Sequence, residues 1–154
     1  VATVGDVGRR AARWVTAGPS GLVAIAVCLT CAGCGGPDGD DAVHVALQLE
    51  TALAAGQGPE ACALLLPAAA EAVADRTGNS CDGGVVDLVG VSGADPAAAA
   101  TTTAPRVAVA GRQAQVALSG DTVFLARDGE GWVVTAALCA ARADRPYDCE
   151  VEAS

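Results

Sequence analysis

The sequence has no lysine and no methionine, and its 154 residues include one histidine, one tyrosine, one phenylalanine and two tryptophans. All nine basic residues are therefore arginine. With the abundance of Ala and Gly, this reads as coding from GC-rich DNA rather than selection for a ligand. His44 has no second histidine and no nearby cysteine, so it reads as a surface residue rather than a metal ligand or base. The chain is 52% hydrophobic, but the aromatic share is only 3%. Alanine adds little apolar area beyond its backbone, so such a core gains less from burial and covalent staples count for more. Positive charge is also scarce. Residues 34–154 carry six Arg against seventeen acids, a net of −11. That charge repels nucleic-acid phosphates and anionic headgroups, which excludes a nucleic-acid partner. The acidity itself reads as solubility rather than as a cation site.

A long hydrophobic run is missing as well. Arg9, Arg10 and Arg13 precede an apolar stretch whose uninterrupted part, Gly21 to Ala32, has twelve residues. A membrane span needs about twenty, whereas a signal-peptide core needs about seven to fifteen. Residues 1–33 are expected to be an export signal. Cys31-Ala32-Gly33-Cys34, followed by Gly35-Gly36, resembles a bacterial lipobox, a small apolar tetrapeptide ending in the cysteine that is lipidated. The resemblance implies cleavage before Cys34, lipidation of Cys34, and attachment to the extracytoplasmic face of the cell membrane. The sequence departs from the pattern at Cys31, where the lipobox prefers Leu. Cys28-x-x-Cys31-x-x-Cys34 also has the spacing that opens an iron–sulfur ligand run, but no Cys-Pro follows and the segment is expected to be removed. An uncleaved N-terminal anchor is the other alternative.

Residues 34–41 read as a tether and 42–154 as one domain. Asp40 or Asp41 can cap a helix over Ala42–Ala55, whose Val45, Leu49 and Leu53 form a stripe. Pro59 opens a second helix carrying Cys62, and Pro67 opens a third that runs to about Asp75. Thr77-Gly78-Asn79-Ser80 is a turn, Val85–Val89 is a short apolar segment, and Gly90–Thr103 reads as a loop. The period then changes to two around Val107, Ala114–Leu118, Val123–Leu125 and Trp132–Val134, with Gly-containing turns between them. The expectation is an α+β fold, with N-terminal helices packed on a curved four-strand antiparallel meander.

Cys62, Cys81, Cys139 and Cys149 remain in the domain. An exported chain meets an oxidising environment, so disulfides are expected, and three connectivities are possible. Cys62–Cys81 with Cys139–Cys149 is favoured because each closes a short loop. Paired C-x2-4-C spacing is missing, so no zinc site is expected, and no cofactor is implied.

Ala61-Cys62-Ala63-Leu64-Leu65, Cys81, the stretch from Gly131 to Cys139, and Arg145-Pro146-Tyr147-Asp148-Cys149-Glu150-Val151 together resemble a group of small, uncharacterised secreted lipoproteins of actinobacteria. That group is similar in architecture to the nuclear transport factor 2-like (SnoaL-like, cystatin-like) fold, in which helices and a curved sheet form a cone. The lipobox, the expected disulfides and the lack of a polar catalytic set together favour a lipid-anchored, non-enzymatic domain that binds an envelope protein or a small apolar molecule. A small isomerase or cyclase and a purely structural envelope protein are the alternatives. The acids and tyrosine of such isomerases do not transfer: Tyr147 is expected in a Cys-closed loop, and no carboxylate lies on the apolar face of an expected strand. No catalytic residue and no ligand-binding residue is named from sequence.

Overall fold

A computed structural model describes residues 36–144 and 146–153. The signal segment and Cys34 lie outside the described residues.

Five helices precede five strands: α1 Pro37–Ala54, α2 Gly58–Ala63, α3 Pro67–Thr77, α4 Cys81–Ser92 and α5 Pro96–Ala100, then β1 Arg106–Ala110, β2 Gln113–Ala117, β3 Thr122–Asp128, β4 Gly131–Ala141 and β5 Tyr147–Glu152. The fold is α+β, as expected. Proline sits in the first turn of α1, α2, α3 and α5, where its missing N–H costs nothing and its fixed φ suits the helix.

Several boundaries differ from the sequence reading. The first helix starts at Pro37, inside the stretch read as tether, and its N-cap is Gly36 with no side-chain cap. Asp40 and Asp41 thus cap nothing. Val85–Val89 belongs to a full helix, α4, because Ser80 caps it by accepting from the Gly83 amide. The stretch read as a loop contains α5, capped by Asp95, which accepts from the Ala98 amide over 3.0 Å.

The strands form one open antiparallel sheet in the order β1-β2-β3-β4-β5. The expected four-strand meander is thus extended by β5, which begins at Tyr147. Cys139 and Cys149 are direct partners across β4 and β5, and the disulfide between them fixes that register. Phe124 pairs with Ala136 while Leu125 pairs with Val134, so Thr135 is an extra residue on β4. Such a bulge bends the strand and re-aims its side chains. Beyond the end of β5, Val134 bonds instead to the segment between α2 and α3, through Leu66 N to Val134 O at 2.8 Å and Val134 N to Leu64 O at 2.9 Å.

The core lies between the helices and one face of the sheet. Ala42, Ala46, Leu49 and Leu53 of α1 meet Val116, Val123, Leu125, Trp132 and Val134. The second disulfide, Cys62–Cys81, ties α2 to the start of α4. There Gly58 lets two backbones approach closely, since a Cβ on it would fall 1.9 Å from the Asp82 carbonyl oxygen. Among the described residues, no helix is long and apolar enough to cross a membrane.

Candidate functional site

Two places in the domain hold side chains that the core does not require to be where they are. The first is the face of the sheet turned away from the helices. Strand alternation puts Ala114, Val116, Val123 and Leu125 inside, and so puts Gln115 and Phe124 on the other face. Tyr147 joins them from β5. Its ring stands edge-on to Phe124 with centroids 5.1 Å apart, and its hydroxyl accepts from Gln115 Nε2 at 2.8 Å. The expected placement of Tyr147 in a closed loop is therefore corrected: the β4–β5 pairing draws it onto the sheet. A shallow cleft of about 390 Å³ opens here, walled by Phe124, Thr135, Tyr147, Pro146 and Glu152, and a second of about 220 Å³ adjoins it between Phe124 and Ala108. Both aromatic side chains are half-buried. The chain's only phenylalanine and only tyrosine thus meet on a face that no described helix covers.

The second place is interior. Glu50 of α1 is fully buried, and neither carboxyl oxygen has a donor among the described residues. Asp121, at the entry to β3, is buried too. Its Oδ1 accepts from the amides of Thr122 and Cys139, both at 2.6 Å, and its Oδ2 accepts from the Leu138 amide at 2.9 Å. Leu138 needs such support. Its φ of 55° is the left-handed region, which L residues with a side chain rarely occupy. Burial, and then the negative charge of Asp121, pushes the Glu50 pKa from an ordinary 4.5 to about 9. Glu50 is therefore neutral at pH 7. It cannot act as a base there, and none of the clefts described here has Glu50 or Asp121 in its wall.

A third cleft, of about 540 Å³, runs along the outside of α1 and α2 past His44, Thr51, Gln57, Glu60 and Leu64. His44 is exposed there, as a surface residue should be. No group of three His, Cys, Asp or Glu among the described residues could hold a metal ion.

The four domain cysteines form the two local disulfides. The sequence reading missed both Glu50 and the aromatic pair. Glu50 could have been found, since it lies four residues after Ala46 and three before Leu53, on the helix's apolar stripe. The Phe124–Tyr147 contact depends on the sheet register and the bulge at Thr135, and nothing local announces it. No family model, curated protein or solved structure matches the chain.

Proposed function

We propose that the chain is a lipoprotein whose domain is a non-enzymatic binding module, held at the extracytoplasmic face of the membrane and recognising a protein partner through the open face of the sheet. The observation that carries the binding reading is the Phe124–Tyr147 pair on that face. Aromatic side chains are enriched at protein interfaces, and a chain with so few of them has put two together away from its core, one of them with a polar tip. A protein surface is the better occupant than a small apolar molecule. The clefts on this face are shallow, whereas small ligands are held by sites that enclose most of their surface. The helix–sheet interface, where a cone-held ligand would sit, is filled by Leu49, Leu53, Val116, Val123 and Leu125.

Attachment through Cys34 rests on the sequence: the arginine-rich start, the short apolar run and the small residues before Cys34. The two disulfides accord with an oxidising compartment. Helices on one face of an antiparallel sheet accord with the nuclear transport factor 2-like resemblance. The isomerase or cyclase alternative is favoured by one observation, the neutral buried acid Glu50, but that acid lines none of the clefts described above.

Anchoring and recognition separate experimentally. Cys34→Ala is expected to release a folded domain from membranes, and unchanged membrane retention would sink the lipoprotein reading. A photo-crosslinking residue at Gln115, compared with one at Asp87 on the exposed side of α4, tests the face. The expected result is one discrete adduct from position 115, lost with Phe124→Ser. Equal adducts from both positions, or none from 115, would overturn it.

A further inference from the structure

The sequence reading places a tether over residues 34–41, but α1 already begins at Pro37. Only Gly35 and Gly36 stand between Cys34 and that helix, and an extended chain covers about 3.5 Å per residue. The first residue of the domain therefore lies within about 10 Å of the Cys34 backbone, where the expected tether would allow about 28 Å.

The first turn of α1 is too well held to unwind and lengthen that reach. The Gly36 carbonyl accepts from the amides of Gly39 at 2.7 Å and Asp40 at 3.3 Å, which closes the turn. The Trp132 indole donates to the Asp38 carbonyl, and the Asp38 carboxylate pairs with Arg127. Gly39 is buried against β1, so close that a Cβ on it would stand 3.4 Å from Val107 Cγ1. Unwinding would break all of these contacts together.

Two hairpin turns share this end of the domain. The Arg127 amide donates to the Arg112 carbonyl at 2.9 Å, and Arg112 Nη2 donates to the Arg127 carbonyl at 2.7 Å. The β1–β2 turn at Gly111 and the β3–β4 turn at Gly129 thus stand beside the start of α1. Asp38, Asp40, Asp41, Arg112, Asp128 and Glu130 are exposed there. Charged side chains stay out of hydrocarbon, so this end fits the headgroup layer and not the bilayer interior. The net charge of −11 on residues 34–154 makes an anionic lipid surface repel the domain as a whole. The attached end cannot retreat, because its reach only matches a Debye length of about 8–10 Å. The opposite end can. Repulsion and the short attachment together turn the start of α1 toward the lipid.

We propose, on the reading of Cys34 as the lipidated residue, that the first turn of α1 with the Gly111 and Gly129 turns is the membrane-facing surface of the domain, held at the lipid headgroups without a tether. The open sheet face then meets a partner that itself stands at the membrane surface. Phe124 lies only four residues from Asp128, about 13 Å along β3.

The test uses the full lipidated chain in vesicles of phosphatidylcholine and phosphatidylglycerol, with a nitroxide quencher on some headgroups. A fluorophore is attached through Glu130→Cys, in the β3–β4 turn, or through Ser119→Cys, in the β2–β3 turn at the opposite end of the sheet. Flotation is read first: a chain that does not float with the vesicles refutes the lipid anchor, and this surface with it. For a chain that floats, quenching at position 130 is expected to exceed that at position 119 several-fold. Inserting about twelve Gly and Ser residues between Gly35 and Gly36 adds on the order of 20 Å of reach and is expected to erase most of that contrast. Quenching at 119 equal to or stronger than at 130, or a contrast that the insertion leaves unchanged, would overturn the membrane-facing surface while the anchor stands.

Discussion

The indole N–H of Trp132 donates to the backbone carbonyl of Asp38 over 3.0 Å, joining the first turn of α1 to the start of β4. The same tryptophan carries Arg127 over its ring, the guanidinium carbon 4.3 Å from the centroid, and Arg127 in turn pairs with the Asp38 carboxylate. One buried aromatic side chain therefore fixes where the helical layer enters the fold. The three contacts differ in worth. The indole bond is sheltered, whereas the Asp38 carboxylate is largely exposed and its ion pair is screened by water.

Trp132→Phe is accordingly expected to cost about 1–3 kcal/mol, from the lost hydrogen bond and the weaker cation–π contact. Asp38→Asn, which keeps the backbone carbonyl, is expected to cost less than about 1 kcal/mol. Urea unfolding of the two variants checks the order. A larger loss in Asp38→Asn would mean that the surface ion pair, rather than the indole, holds the helix.

The same region shows which features can be read from sequence. Helix starts are legible where Pro59 and Pro67 stand, because proline suits the first turn; Pro96 offered the same signal for α5, inside a stretch read as a loop. The strands from Val107 to Val134 are legible because their apolar residues alternate. The α4 helix is harder: Gly83, Gly84, Gly90 and a valine-rich run all disfavour a helix taken alone. Tertiary contact overrides that preference, since Gly84 lies where a Cβ would crowd Thr77 and Val73 of α3. The β5 strand was legible and was missed: Tyr147, Cys149 and Val151 alternate with Asp148, Glu150 and Glu152, and its pairing with β4 follows that period. Asp121 is illegible for another reason. An aspartate after Ser-Gly looks like an ordinary turn residue whether it faces water or three buried amides.

The two disulfides close sequence separations of 19 and 10 residues. In the chain-entropy model each is worth about 3 kcal/mol, a large share for a domain of this size. Replacing Cys62 and Cys81 together by Ala, or Cys139 and Cys149 together, is expected to lower stability by about that amount in urea unfolding. A pair whose removal costs nothing would have its loop already ordered in the unfolded chain.

Two glycines on the helical layer should respond oppositely to the same change. Gly58→Ala places a methyl against the Asp82 carbonyl, so α2 must move off α4, at about 1–3 kcal/mol. Gly90 lies within α4 with open space around its Cβ position, so Gly90→Ala should stabilise the domain by about 0.5–1 kcal/mol. Melting temperatures of the two variants should move apart, Gly58→Ala below and Gly90→Ala above the wild type. A Gly58→Ala protein as stable as the wild type would show that the two helices can separate without loss.

Asp121 is where a single truncation should do most harm. Its carboxylate satisfies the amides of Thr122, Leu138 and Cys139 in a buried corner. Asp121→Ala orphans three buried donors at once, and each unsatisfied group costs about 1–3 kcal/mol. Relaxation of Leu138 out of its left-handed conformation should recover part of that, so a loss on the order of 3–5 kcal/mol is expected. Hydrogen exchange locates the damage: the Leu138 and Cys139 amides, which the carboxylate holds, should lose protection far more than those in the middle of β2. Asp121→Asn, retaining one acceptor oxygen, should fall between the two. If Leu138 and Cys139 stay as protected in Asp121→Ala as in the wild type, the corner is held by the disulfide and the strand pairing, and the carboxylate is dispensable to it.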